Sequence, residues 1–164
     1  MSAQIRVLYA SMPERLSRAR SAFGRPLTLS EKILVAHCDD FGTQRWERGK
    51  AILRLRVDRV GLQDATAQMA ILQFMMSGRK RVAVPTTVHC DHLIRAESGS
   101  AEDLARAIQE NREVYDFLRS AARKYGMGFW RPGAGIIHQV VLENYAFPGA
   151  LMIGAGSLTP MGGG

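Results

Sequence analysis

Hydrophobic positions along this chain recur in two rhythms, helical and alternating, and their succession predicts an α/β order. Leu16, Ala19 and Phe23 share one side of a helix expected to begin after Pro13. Ser30 precedes the apolar stripe Ile33-Leu34-Val35-Ala36, which predicts a second short helix with Ser30 as N-cap, ended by Cys38-Asp39-Asp40-Phe41-Gly42. Between Arg48 and Val60, the apolar Ile52, Leu53, Leu55 and Val57 alternate with Arg54, Arg56 and Arg59, the signature of a half-buried strand or strand pair. Asp64 caps a run to Met76, closed by Gly78. That run is apolar nearly all round, so it is expected to be buried, its methionines filling core gaps.

In the second half, Val82-Ala83-Val84-Pro85 reads as a short strand that Pro85 stops. Ser100 is expected to cap one long helix, with Asp103 at the capping-box position; Leu104, Ile108, Tyr115, Leu118 and Ala122 mark its apolar stripe to Tyr125, and Gly126 closes it. Gly128 to Gly133 reads as a turn, His138 opens a short helix ending near Asn144, and Ala150 to Ile153 forms a last buried strand.

Composition narrows the class. The 164 residues suit one domain with its own core, and no repeat or boundary divides them. A hydrophobic fraction of 46% with 23% charged residues excludes a disordered chain. No apolar run approaches the roughly 20 residues of a membrane span. Cys38 and Cys90 form no CxxC pair, which argues against a disulfide scaffold or a self-contained metal or cluster site. The net charge of +7 is concentrated in residues 1–63, with 12 Lys+Arg against 6 Asp+Glu. Such a segment attracts RNA, anionic lipid or an acidic partner, or is simply a solvated basic face. Residues 1–25 carry five arginines and only Glu14 as an acid, which suits either a mitochondrial transit peptide or a surface helix. The absence of a linker after them favours the helix.

Four polar clusters bear on chemistry. Asp91 beside His92 suits proton transfer to or from a hydroxyl, since a carboxylate fixes the tautomer of a neighbouring imidazole; a structural hydrogen bond is the plain alternative. His89, three residues earlier, adds too little for a metal site. His138 follows two β-branched residues and reads by default as a core histidine, and Gln68 sits one turn into its helix, its direction open. Ser157 lies where a strand gives way to glycines, a place for a carboxylate or phosphate contact or for an ordinary turn.

Six collinear blocks go further: Arg25-Pro-Leu-Thr-Leu-Ser-Glu-Lys32, Asp64-Ala-Thr-Ala-Gln-Met69, His89-Cys-Asp-His92, Lys124-Tyr-Gly126, Gly135-Ile-Ile-His-Gln139 and Leu142-Glu-Asn-Tyr145. Together they resemble the amino-terminal part of the aconitase family, mitochondrial type, the iron–sulfur hydro-lyases that interconvert citrate and isocitrate. The resemblance implies a partial three-layer α/β/α domain over residues 1–164, with a short, mostly parallel sheet flanked by helices. It implies catalytic roles for Asp91, His92 and His138 and substrate contacts for Gln68 and Ser157. It also marks departures: Gly156, Leu158 and Met161 replace the aspartate, histidine and asparagine of the family's Asp-Ser-His-Thr-Pro-Asn signature. The family's 4Fe-4S cluster finds no cysteine ligands in this sequence, so no cofactor and no metal is expected here.

These features predict a truncated, aconitase-like chain, catalytically inactive alone and acting as an interaction module. A protein partner is expected to cover its incomplete sheet. The alternatives are one piece of a split or incompletely recorded aconitate hydratase, and an RNA-contacting component using the basic residues 1–63. A mitochondrial location follows from the resemblance, with the cytoplasm as the other option.

Overall fold

The computed structural model describes residues 3–156. Helix α1 (Ala3–Phe23) runs straight through Pro13, where a start had been expected. Proline inside a helix costs about 3 kcal/mol. Here buried Leu8, Leu16 and Ala19 lie on both sides of it and hold the helix from both ends. Helix α2 (Leu29–His37) is capped by Thr28 rather than Ser30. Thr28 and Glu31 form a reciprocal capping box that satisfies two orphan N–H groups, which Ser30, three residues before Ile33, cannot do.

The strand expected between Arg48 and Val60 does not form as a ladder. Only an isolated antiparallel bridge joins Cys38 to Leu55; Leu53, Leu55 and Val57 are half-buried and Arg54 and Arg56 exposed, as the alternation predicts, while Ile52 is 95% exposed and falls outside it. Strand β1 (Arg59–Gln63) begins where that pattern ends. Helix α3 (Asp64–Met76) follows at once, and only one side of it is buried, through Asp64, Ala67 and Ile71. Met69, Leu72 and Met76 on the other side are exposed, which corrects the expectation of an all-round buried helix.

Strand β2 (Thr86–His89) starts after Pro85 rather than ending at it. Proline has no N–H to donate but its carbonyl accepts from Val60 N–H at 3.0 Å, so it serves as the entry to the strand. The single long helix breaks at Asn111 into α4 (Ser100–Glu110) and α5 (Arg112–Tyr125). Gly99 rather than Ser100 stands at the N-cap, and no cap side chain accepts there; Asp103 instead reaches back to accept the N–H groups of Glu97, Ser98 and Gly99. Gly126 closes α5 at φ +79°, the left-handed conformation that glycine adopts without penalty. Part of the expected turn, Gly128–Trp130, is strand β3, followed by α6 (Ile137–Asn144) and β4 (Met152–Gly154). Among the described residues β4 pairs with β1 alone, at an edge of the sheet, and Ile153 is 53% exposed, so this is not the buried strand anticipated.

The chain divides into two compact units. The first holds residues up to Asp58 with Gly149–Leu151. Its core of Leu16, Ala19, Leu27 and Val35 is closed by Phe23, Phe41 and Trp46, whose rings meet edge-on or tilted at 5.3 to 5.7 Å. Part of its basic charge is neutralised locally: Arg25 pairs with Glu31, Arg45 and Lys50 with Glu47, and Arg56 with Asp39.

The second unit is a parallel four-stranded sheet in the order β3-β2-β1-β4. Leu62 and Val88 point to one face and pack with Ala67 and Ile71 of α3 and Leu118 and Ala122 of α5. The opposite face at Gly61 lies against Ile137 and Val141 of α6. Helices on both faces of a parallel sheet give the three layers anticipated. Among the described residues no helix is long and apolar enough to cross a membrane.

Candidate functional site

In register, Gln63, His89 and Trp130 form a row across the sheet at the carboxyl ends of three strands. The segments leaving those ends carry the polar residues, the usual place for sites in open α/β sheets. Asp64, the first residue of α3, is completely buried. Its two carboxylate oxygens accept the backbone N–H groups of His92 at 3.0 Å and Leu93 at 3.3 Å. Burial pushes the Asp64 carboxyl above the usual carboxylate range, and those two hydrogen bonds oppose the shift.

Asp91 uses both oxygens as well. One accepts from His92 Nδ1 at 2.9 Å and the other from Ile137 N–H at 2.9 Å, at the start of α6. A carboxylate at that position satisfies an orphan donor and meets the positive end of the helix dipole. With the proton on Nδ1, His92 leaves Nε2 as an acceptor; the side chain is 36% exposed, and Nε2 has no hydrogen-bond partner among the described residues. His138, in the first turn of α6, stands edge-on to His92 with ring centroids 6.2 Å apart, and its buried Nδ1 also lacks a partner among the described residues.

Gln68, one turn along α3, donates to the Asp64 carbonyl at 3.3 Å. Gly156 sits in the bend after β4, where Ala155 is fixed by its N–H to Gly61 and by the Thr66 hydroxyl on its carbonyl. The turn that delivers α6 requires glycine at 133, where φ is +81° and a Cβ would meet Leu104 at 2.8 Å. Ser157, Leu158 and Met161 lie outside the described residues.

Behind this edge His89 stacks on Trp130, with centroids 5.9 Å apart and planes 7° from parallel. Burial lowers the His89 pKa to about 4, so the ring is neutral. Trp130 Nε1 donates to the Tyr145 hydroxyl at 2.9 Å, and the Arg59 guanidinium lies 3.7 Å from the centre of the Tyr145 ring. The structure thus brings Asp91, His92 and His138 together, while Gln68 holds the Asp64 carbonyl one turn back on its own helix. The central role of Asp64 escapes a reading that sees it only as a helix cap; its place four residues before Gln68, on the same helix face, is the signal.

Asp64, Asp91 and His92 offer ligand atoms within 4.8 Å of one another. Both carboxylates already accept two hydrogen bonds each, so the trio is complete as a hydrogen-bonded junction. Cys38 and Cys90 are buried and belong to different units, and burial raises both thiols, Cys90 to about 12.

The family model of the aconitase family (aconitate hydratase) matches residues 31–164. The chain is 60% identical over 162 residues to the mitochondrial aconitate hydratase of Gracilaria gracilis, covering 98% of this chain and 20% of that protein. It is 61% identical over 156 residues to the mitochondrial aconitate hydratase of Saccharomyces cerevisiae, covering 95% of this chain and 20% of the relative. Against the probable mitochondrial aconitate hydratase of Caenorhabditis elegans the identity is 59% over 156 residues, with the same two coverages of 95% and 20%. This chain belongs to the aconitase family. It spans about a fifth of the length of the curated relatives it matches.

Proposed function

We propose that this chain carries the hydroxyl-handling part of an aconitate hydratase centre, acting in the interconversion of citrate and isocitrate through cis-aconitate. The observation behind the reading is the Asp91–His92 pair, clamped by α6 through Ile137 N–H and leaving Nε2 open beside His138. In this role His92 exchanges a proton with the substrate hydroxyl, Asp91 holds the tautomer and stabilises the charged ring, and Gln68 and Ser157 contact substrate. The iron–sulfur cluster, whose chemistry is to polarise the hydroxyl and carboxylate, is held by residues other than Cys38 and Cys90. By resemblance to its relatives, the protein works in mitochondria.

On its own the chain is catalytically silent in this reading. Gly156 offers no proton where the family has an aspartate, and losing one cooperating acid or base costs about 10²–10⁴-fold. Cis-aconitate hydration by the purified chain, followed by absorbance, is expected to be absent. Citrate is expected to shift the NMR signals of His92, His138 and Gln68. Turnover by the isolated chain would overturn the silence, and unmoved His92 signals would overturn the site.

A second reading, an interaction module, draws on the exposed Met69, Leu72 and Met76 of α3 and on Ile153 of the edge strand β4. Self-association or a stable hetero-complex in light scattering supports it; a monomer unchanged at high concentration removes it. The RNA reading has less behind it, since Arg25, Arg45 and Arg56 already hold carboxylates.

A further inference from the structure

We propose that Asp64 is the positioning residue of the Asp91–His92 pair, fixing the backbone at residues 92 and 93 so that His92 keeps Nδ1 on Asp91 and turns Nε2 outward. The inference rests on the reading of that pair as the hydroxyl-handling group.

The cap of α3 is Gln63, whose side chain accepts Ala65 N–H at 2.7 Å, so the helix start gives no reason to bury the Asp64 carboxylate completely. Asp64 is nonetheless fully buried, and among the described residues no lysine or arginine pairs with it. What compensates it is the pair of N–H groups from the His92 loop, at 3.0 and 3.3 Å, in charge-assisted hydrogen bonds. Holding two successive N–H groups fixes the backbone on both sides of the His92 Cα, and with it the direction of the imidazole. Asp91 is held separately, from the side-chain end, by Ile137 N–H. The pair is therefore gripped at two points.

The loop has a second anchor besides Asp64. Its far end is tied by Asp103 to the N–H groups of Glu97, Ser98 and Gly99, at 2.9 to 3.1 Å. Asp64 acts only at the end bearing the histidine. Asparagine is close in size but unsuitable, because its NH2 group would confront one of the two N–H donors.

The test uses the full chain labelled with ¹⁵N. In the parent, the His92 ring should report the tautomer protonated on Nδ1, and the amides of His92 and Leu93 should be protected from exchange. In Asp64→Asn their exchange should accelerate about tenfold or more, as expected for local opening, and the ring signals should become those of mixed tautomers. The amides of Val88, Leu118, Glu97, Ser98 and Gly99 should not change. Asp103→Asn should show the reverse, freeing residues 97–99 and leaving the His92 ring untouched. A folded Asp64→Asn chain with an unchanged His92 ring signature overturns the proposal. So does an Asp64→Asn chain that unfolds or loosens throughout, since Asp64 then belongs to the fold at large. Neither measurement uses citrate, so failure of the hydro-lyase reading shows up separately, as an absent citrate shift.

Discussion

The two units each contain a carboxylate–imidazole pair, and the pairs are built for different ends. In the first, His37 is 3% exposed, with Nδ1 2.8 Å from the Ile33 carbonyl and Nε2 2.7 Å from Asp58. Asp58 is held in turn by Leu151 N–H at 2.9 Å. Both ring nitrogens are committed to oxygens that only accept, so the ring ties α2 to the segments around it and has nothing left to offer a ligand. In the second, His92 commits one nitrogen to Asp91 and leaves the other at the surface. The same two side chains are a fastener when both nitrogens are used and a chemical group when one is left open.

The comparison breaks most visibly at Asp58. Replacing it by alanine strands a buried imidazole and is expected to cost about 3 kcal/mol, read as a lower urea midpoint. Next comes acid. The His89 pKa lies at about 4 in the folded chain against the ordinary 6.5, so below pH 6.5 the unfolded chain takes up a proton that the folded chain refuses. Stability is complete above that value and falls progressively down to about pH 4, losing about 2 kcal/mol between pH 7 and 5. His89→Gln should flatten this dependence in urea unfolding curves. Asp91→Ala removes a partly exposed pair and one helix-capping contact, and should cost only about 1 kcal/mol while abolishing the citrate-induced shift at His92. The smallest effect is at the open ring itself: His92→Gln should change stability by less than about 0.5 kcal/mol, and a larger loss would place His92 with His37 among the fasteners.

The carboxyl-edge residues were legible because their chemistry is local. Asp91 and His92 are neighbours in sequence, and Ile137-His138 announces a helix start, so the cluster shows before any packing is known. Legibility fails where a distant partner decides. Proline at 85 reads as a strand's end until Val60 is seen to donate to its carbonyl, which makes it the beginning. The basic alternation through Ile52 has the period of a strand, yet no neighbouring ladder forms there. The methionines of α3 read as core because hydropathy carries no record of which face meets a neighbour. Asp64 is the sharpest instance: its two partners lie 28 and 29 residues away, so its sequence context shows only a cap.

The span from Ile94 to Ala96 lies between the two buried aspartates that anchor the loop, Asp64 before it and Asp103 after it. Insertions there would lengthen a suspended bridge without moving either abutment. A fluorescent or affinity tag grafted into those three residues should report on the carboxyl edge of the sheet while leaving the imidazole where it stands.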